Sequence, residues 1–309
     1  MNEKDKKYLE SHRYYGQVVL FNTQYALCSP YANTTVLRTP DVVMRGMLYS
    51  EDNFRGEDYL LNYRLEGSDI GFRAGLSRFY GRDAILTSAM RPMGENTEES
   101  IPLPKPGALK MAFGTVLQER RSVRKFSGEP ITKGDLSTLL YYTQGITGSL
   151  MLGEPEEDMD RIHLRTQPSG GGLFPIRLYA GVRNVKNLEP GIYEYYPHAH
   201  ALHRCAGFEE AELKASCDYG DIDPAQCAFV LFYGYDLFIN ARKYGDASLA
   251  YALIETGEIA ENAQLTACAL GLGACDLGGY RKQRIEEMLG MDGLCRHIVH
   301  MTILGQIKD

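Results

Sequence analysis

Glu119-Arg120-Arg121-Ser122-Val123-Arg124-Lys125-Phe126 is the stretch on which the reading of the fold turns. It follows an apolar, helix-spaced segment, Phe113 to Arg120, and precedes the turn Ser127-Gly128-Glu129-Pro130. Arginine forks suit phosphate because they donate paired, charge-assisted hydrogen bonds. The Ser122 hydroxyl adds another hydrogen-bonding group. Taken alone, a solvated basic helix end favoured by the helix dipole explains the cluster better. The cluster gains weight from its order with others along the chain.

Three such clusters lie downstream. Gln167-Pro168-Ser169-Gly170-Gly171-Gly172-Leu173-Phe174-Pro175 has a triple glycine. Without side chains the backbone can approach a flat ligand and expose N–H groups to it. The stretch matches neither the Walker loop nor the GxGxxG fingerprint, and a plain flexible loop is an equal alternative. Asn240-Ala241-Arg242-Lys243-Tyr244-Gly245 holds a Lys-Tyr pair ahead of a buried helix. A lysine whose pKa is lowered by burial can take a proton, although on spacing alone an exposed lysine beside a packed tyrosine is the simpler account. Leu270-Gly271-Leu272-Gly273-Ala274-Cys275-Asp276-Leu277-Gly278-Gly279-Tyr280-Arg281-Lys282 ends the long helix. There Gly271 or Gly273 is a candidate C-cap, Gly278 and Gly279 could admit a ligand, and Arg281, Lys282 and Arg284 supply positive charge.

Around these clusters the chain reads α+β. Pro102, Pro104 and Pro106 break the sequence after the acidic segment Gly94 to Ser100, and we read a linker there. It divides an N-terminal region, 1–103, from a main domain, 104–309. In the first region Gln17 to Phe21 is a possible strand and Glu57 to Phe79 a helical stretch. In the second, Thr132 is the expected N-cap of a helix with Leu136, Leu139 and Leu140 on its apolar face. Arg177–Val182, Phe229–Tyr233 and Ile298–Leu304 read as strands. Gly191–Tyr196 and Ala201–Cys205 read as a hairpin about Pro197-His198-Ala199-His200. Ala247–Leu270 is a long helix rich in alanine without a wide polar stripe, so it is expected to be central and close-packed, and suited to a subunit interface.

Composition narrows the classes. The 309 residues carry a formal net charge of −7, which argues against nucleic acid or an anionic membrane as partner. There is no apolar run of membrane-spanning length and no secretory signal pattern. Seven cysteines, none in a CxxC pair, read as reduced thiols, so a cytoplasmic location is expected. His198, His200 and His203, with Cys205 beyond, invite a metal reading, but they fall on the hairpin turn, where they are expected to face solvent, and no fourth ligand has motif spacing. The acidic run Glu154 to Asp160 reads as a solvated loop. No metal is expected.

In this order the clusters resemble the nitroreductase superfamily, and within it the SagB-type dehydrogenases, the azoline oxidases of thiazole/oxazole-modified peptide (RiPP) biosynthesis. The resemblance runs from about Pro104 to Ile307. It rests on Arg120–Phe126, Leu139-Leu140-Tyr141-Tyr142-Thr143-Gln144-Gly145-Ile146-Thr147, Pro168–Gly171, Gly191–Tyr195, Lys243-Tyr244-Gly245, Glu255–Asn262 and Ala269–Gly273. The chain departs from the family in having Tyr141-Tyr142 where Trp-Ala is usual, in its longer glycine run, and in its first hundred residues.

The resemblance implies a nitroreductase-like sandwich with an N-terminal extension, intertwined as a homodimer with FMN at the subunit interface. Arg120, Arg121, Ser122 and Arg124 would hold the FMN phosphate and ribityl chain, helped by Arg281 or Lys282. Pro168, Ser169, Gly170 and Gly171 would approach the flavin ring, Gln144 would be a polar ring contact, and Gly271, Leu272, Gly273, Gly278 and Gly279 would form a closing loop. Lys243 and Tyr244 would be the catalytic pair of a flavoprotein oxidoreductase that oxidises azolines to azoles in a modified precursor peptide, working beside a cyclodehydratase. Two alternatives stand beside this reading. One is an NAD(P)H-dependent reductase of a small-molecule substrate such as a nitroaromatic or quinone, or of dehydroamino acids in a peptide. The other is a non-catalytic peptide-binding subunit of a modification complex.

Overall fold

The structure, a computed structural model, describes residues 59, 70–81, 84–85, 100–151, 161–217 and 222–308. The expected strand at Gln17–Phe21 and the acidic run Glu154–Asp160 lie outside them. The chain divides into two compact units, Met1–Arg64 and Leu65–Asp309.

A seven-stranded antiparallel sheet forms the centre of the second unit. In chain order the strands are β1 (Ile101–Pro102), β4 (Ile176–Val182), β5 (Gly191–Tyr196), β6 (Ala201–Ala206), β7 (Phe229–Asp236), β8 (Gly273–Leu277) and β9 (Arg296–Gly305), arranged β1-β6-β5-β4-β7-β9-β8. A separate antiparallel pair joins β2 (Ile146–Met151) to β3 (Arg161–Arg165). Strand β7 is apolar along almost its whole length because both of its faces are covered. Leu231, Tyr233 and Tyr235 point into one core and Val230 and Phe232 into the other, the alternation that a pleated strand imposes.

On the first face lie helices α3 (Lys133–Gln144) and α6 (Ala247–Ala269). Leu136, Leu139 and Leu140 of α3 and Ala252, Ile259, Ala263 and Ala267 of α6 pack with Ile176, Leu178 and Leu231 of the sheet. On the second face, Leu213 of α4 (Glu210–Ser216) and Ile285 of α7 (Lys282–Met288) pack with Tyr179, Phe232 and Ile303. The fold is therefore an α+β sandwich with helices on both faces of one sheet.

Local signals explain several boundaries. Thr132 caps α3 with a full capping box: its hydroxyl accepts from Asp135 N at 3.0 Å, and Thr132 N donates to the Asp135 carboxylate at 3.0 Å. Helix α6 stops at Gly271, whose φ of 70° places it in the left-handed region. Gly271 N donates to Cys268 O and Leu272 N to Ala267 O, the paired bonds of a Schellman ending. Gly273 is not part of that cap. It opens β8, where an added Cβ would meet Val123 at 2.7 Å.

Helix α2 (Phe113–Glu119) ends one residue before the expected Arg120. Of the stretch read as helical from Glu57 to Phe79, Ile70–Arg78 is helix α1. Helix α1 packs on α5 (Leu237–Tyr244), and an added Cβ on Gly75 would lie 2.7 Å from Lys243 O. Helix α1, upstream of the proline-rich segment, thus belongs to the unit that carries the Lys-Tyr pair.

Candidate active site

Lys243 and Tyr244 are the last two residues of α5. The helix starts where Asp236 Oδ1 accepts from Phe238 N at 3.2 Å, and it ends at Gly245, whose φ is 54°. Both side-chain tips reach one place: an added Cβ on Gly171 would collide with Lys243 Nζ and with the Tyr244 hydroxyl. Gly171 has a φ of 65°, so two independent constraints keep the position glycine. Lys243 Nζ lies 5.5 Å from the centre of the Phe79 ring and 5.2 Å from that of Tyr244. Burial lowers the pKa of Lys243, whereas burial, and to a lesser degree Tyr251 and Tyr80, raises that of Tyr244. The first change favours a neutral amine and the second a protonated hydroxyl.

The loop that brings Gly171 there is held by α6. Ser169 Oγ donates to Glu255 Oε2 at 2.5 Å and accepts from Phe174 N at 2.9 Å, closing a ring of contacts around the three glycines. Gly170 rests on Tyr251, which meets Tyr244 edge-on at 4.9 Å. Glu255 is buried, and burial pushes its carboxyl up to about 7 against the opposing pull of Ser169, Arg165 and Gln167. Gln167 is near enough to favour the ionised form, yet Gln167 Nε2 and Glu255 Oε1 have no bonding partner among the described residues. Arg165 stacks over Phe174 at 4.5 Å, and burial lowers its pKa to about 10.

Lys243, Gly171, Arg165, Phe174, Phe79 and His198 line one cavity. His198 meets His163 edge-on at 4.8 Å. Its pKa falls to about 4, first through burial and then through Arg165 and His163, so this imidazole is neutral at physiological pH. The three histidines of the hairpin turn do not face solvent together. His200 is bonded to Ser137 at 2.7 Å and to Tyr195 at 2.9 Å, and His203 stacks on Tyr196. Each has a different polar or aromatic neighbour because the turn folds back on the domain. Among the described residues there is no group of three His, Cys, Asp or Glu placed to hold a metal ion.

The basic cluster forms a second centre near the other end of α6. Arg120 donates from one guanidinium nitrogen to Gln264 Oε1 at 3.0 Å, Gln264 Nε2 donates to Asp276 Oδ2 at 2.5 Å, and Thr302 Oγ1 donates to Asp276 Oδ1 at 2.6 Å. Val123 N donates to Ala274 O at 2.9 Å, which fixes the strand-like run Ser122–Val123 beside β8. Ser122, Arg121 and Arg124 are exposed beside Arg120. At 1.5 Å of rise per residue, Glu255 and Gln264 lie roughly 13 Å apart along α6, so one helix carries both centres.

The remaining expected residues are more dispersed. Gln144 is fully buried and donates to Ile176 O at 2.9 Å, a structural bond to the first residue of β4. Pro168 sits at the start of the glycine loop. Gly278 and Gly279 are exposed after β8, and nothing lies within 4 Å of an added Cβ on Gly278. Arg281 N donates to Ser216 O at 2.8 Å, and Lys282 pairs with the buried Glu286 at 2.5 Å. Leu272 is part of the core beneath the helix end.

Sequence reasoning missed Glu255, Arg165, Gln264 and Asp276. Glu255 had a usable signal: it is an acid one turn from Ala252 and Ile259 on the small, apolar side of α6.

Residues 117–306 match the nitroreductase family. The nitroreductase homologue MJ1384 of Methanocaldococcus jannaschii is 32% identical over 197 residues, which cover 64% of this chain and 91% of that protein. The microcin B17-processing protein McbC of Escherichia coli is 30% identical over 150 residues, 47% of this chain and 55% of McbC, so the match spans about half of that relative. The E. coli microcin synthetase McbBCD complex, solved with truncated pro-MccB17 bound, contains a chain of the same fold. It superposes with a TM-score of 0.52 at 20% identity, over 82% of this chain and 87% of that one. The chain belongs to the nitroreductase family, a family of oxidoreductases.

Proposed function

We propose that the chain is an FMN-dependent, SagB-type dehydrogenase that oxidises azolines to azoles in a ribosomally made peptide. The observation that carries this reading is the meeting of Lys243 Nζ and the Tyr244 hydroxyl at Gly171, in the loop that the family resemblance assigns to the flavin ring. The partial likeness to McbC, a microcin-processing protein, supports the peptide substrate and a cyclodehydratase partner.

The residues present suit FMN. Arg120, Arg124 and Ser122 give a cationic, hydrogen-bonding surface fit for a phosphate. The side-chain-free cradle at Gly170–Gly172 suits close approach of a planar ring, since Gly172 is open around the position a Cβ would take. Bound FMN would supply the two-electron acceptor for the oxidation. Of the pair Lys243 and Tyr244, Lys243 takes the proton from the ring carbon of the azoline. A lysine with lowered pKa is the better acceptor of the two, because a larger neutral fraction is available near neutrality. Tyr244, kept protonated, can donate a hydrogen bond to the ring heteroatom or to the lysine. Arg165, Phe174 and Phe79 position the substrate and limit water at the cavity.

We assign residues 104–309 to the FMN domain, joined at the Lys-Tyr pair by helix α1 and Phe79, and place a peptide-docking or dimer-arm role in the rest of 1–103. The assembly is a homodimer, supported by the exposed apolar residues Leu249, Leu253 and Ile254 on α6.

The test uses FMN-loaded protein and an azoline peptide under air. Lys243→Ala should lower kcat at least about 100-fold and Tyr244→Phe by a smaller factor, as expected for loss of general acid–base help. Wild-type turnover in both loaded variants would overturn the assignment. Immediate anaerobic bleaching of the flavin by NADPH or NADH would replace it with the reductase reading.

A further inference from the structure

Arg120 is held by a chain of polar side chains that runs through Gln264 to Asp276 and Thr302. Asp276 is held from two sides: Thr302 Oγ1 donates to Oδ1 at 2.6 Å, and His300 Nε2 lies 3.3 Å from the same oxygen. Thr302 is anchored in turn by the buried Tyr233 hydroxyl at 2.8 Å. Burial works against ionisation of Asp276, but the hydrogen bonds from His300, Thr302 and Gln264 outweigh it and hold the carboxyl below its ordinary range. Its other oxygen, Oδ2, accepts from Gln264 Nε2 at 2.5 Å, and Gln264 Oε1 accepts from Arg120 at 3.0 Å.

The direction of the amide is set from both ends. If Gln264 were reversed, its NH2 would face the Arg120 cation and its oxygen would face the Asp276 carboxylate. That gives donor against donor and acceptor against acceptor. Asp276 therefore orients the amide so that its oxygen faces Arg120, and one arm of the guanidinium fork is fixed, with no other side-chain acceptor on it among the described residues.

We infer that Gln264 and Asp276 are positioning residues which aim Arg120 at the phosphate of the flavin. The inference rests on the proposed FMN site and goes beyond it by naming the groups that give Arg120 its geometry. Both act through Arg120. Their loss should weaken only the part of the binding that Arg120 supplies.

That prediction has a readout independent of turnover, because riboflavin is FMN without the phosphate. Dissociation constants for FMN and riboflavin should be measured by flavin fluorescence quenching on apoprotein of the wild type, Arg120→Ala, Gln264→Leu, Asp276→Asn and the double variant Arg120→Ala/Gln264→Leu. The wild type should prefer FMN, and Arg120→Ala should lose most of that preference. Gln264→Leu and Asp276→Asn should each weaken FMN by about tenfold, the scale of one charge-assisted hydrogen bond, and leave riboflavin unchanged. The double variant should be no worse than Arg120→Ala alone.

If Arg120→Ala loses the preference but Gln264→Leu and Asp276→Asn keep it, the relay is wrong and the phosphate site stands. Equal weakening of FMN and riboflavin by the relay variants also overturns the relay. If Arg120→Ala keeps the full preference, both the phosphate site and the relay fall. Should Gln264→Leu not fold, Asp276→Asn decides, since it nearly keeps the size of the side chain while it removes the charge and turns one of two accepting oxygens into a donor.

Discussion

At Glu255, burial and hydrogen bonding pull in opposite directions, and burial wins. Its carboxyl rises from an ordinary value of 4.5 to about 7 although Ser169, Arg165 and Gln167 all favour the charged form. Between those two values the folded chain holds a proton that the unfolded chain releases. The contribution of Glu255 to stability is therefore complete below about pH 4.5 and is lost as pH rises towards 7. Glu255→Gln keeps an acceptor for Ser169 and cannot ionise. Its melting temperature should gain on that of the wild type between about pH 5 and pH 8, by an amount corresponding to about 1–3 kcal/mol. A difference in Tm that stays constant across this range would mean that Glu255 does not titrate there. Nothing in a one-dimensional reading could have given this behaviour. Glu255 is legible as an acid on a small-residue face, but its pKa depends first on its burial beneath the glycine loop and then on the distant Ser169 and Arg165 that meet it.

Helix α3 and strand β8 show where the sequence speaks and where it is silent. The N-cap at Thr132 is legible because the whole device lies within four residues, and the structure has it in place. Thr132→Ala removes the bond from Asp135 N and should cost about 1 kcal/mol, read as a shift in the urea midpoint with unchanged slope. No shift would mean that Asp135 alone carries the start of the helix. Strand β8 reads in the sequence as a glycine-rich closing loop. Its five residues gain their identity from β9, through pairs such as Cys275 with Ile303, and from Val123, all distant in sequence. Helix α5 is equally hidden, since Leu237-Phe238-Ile239 resumes the apolar run of β7 after the single residue Asp236. Only the Asp236 side chain marks the change, by capping Phe238 N. The Lys-Tyr pair is therefore visible in the sequence while the short helix that aims it is not.

Helix α6 is the axis of the whole arrangement. One side packs into the sheet core through alanines, its start carries Tyr251 and Glu255 under the glycine loop, and its far half carries Gln264 beneath Arg120. The alanine-rich pattern foretells a central helix, and that is where it lies. Its remaining side is apolar at the start: Leu253 is 48% and Ile254 59% exposed, with Leu249 one turn before. Full burial of an exposed side chain of this kind gains about 1.5–3 kcal/mol, so covering the roughly half-exposed three gains about half of that each and favours a partner surface over water. A second copy of the chain is the partner we propose. Leu253→Asp places a charge in the middle of that patch without touching the core or either centre. It should convert a dimer to a monomer in light scattering behind size exclusion, with far-UV circular dichroism unchanged. Because FMN is proposed to lie between subunits, the same variant should also lose bound flavin on gel filtration. A monomer that retains its FMN would separate the two ideas: the dimer surface would be correct and the flavin would belong to one chain alone. A variant that stays dimeric would place the subunit contact on another face, such as the exposed Phe113 and Leu117 of α2.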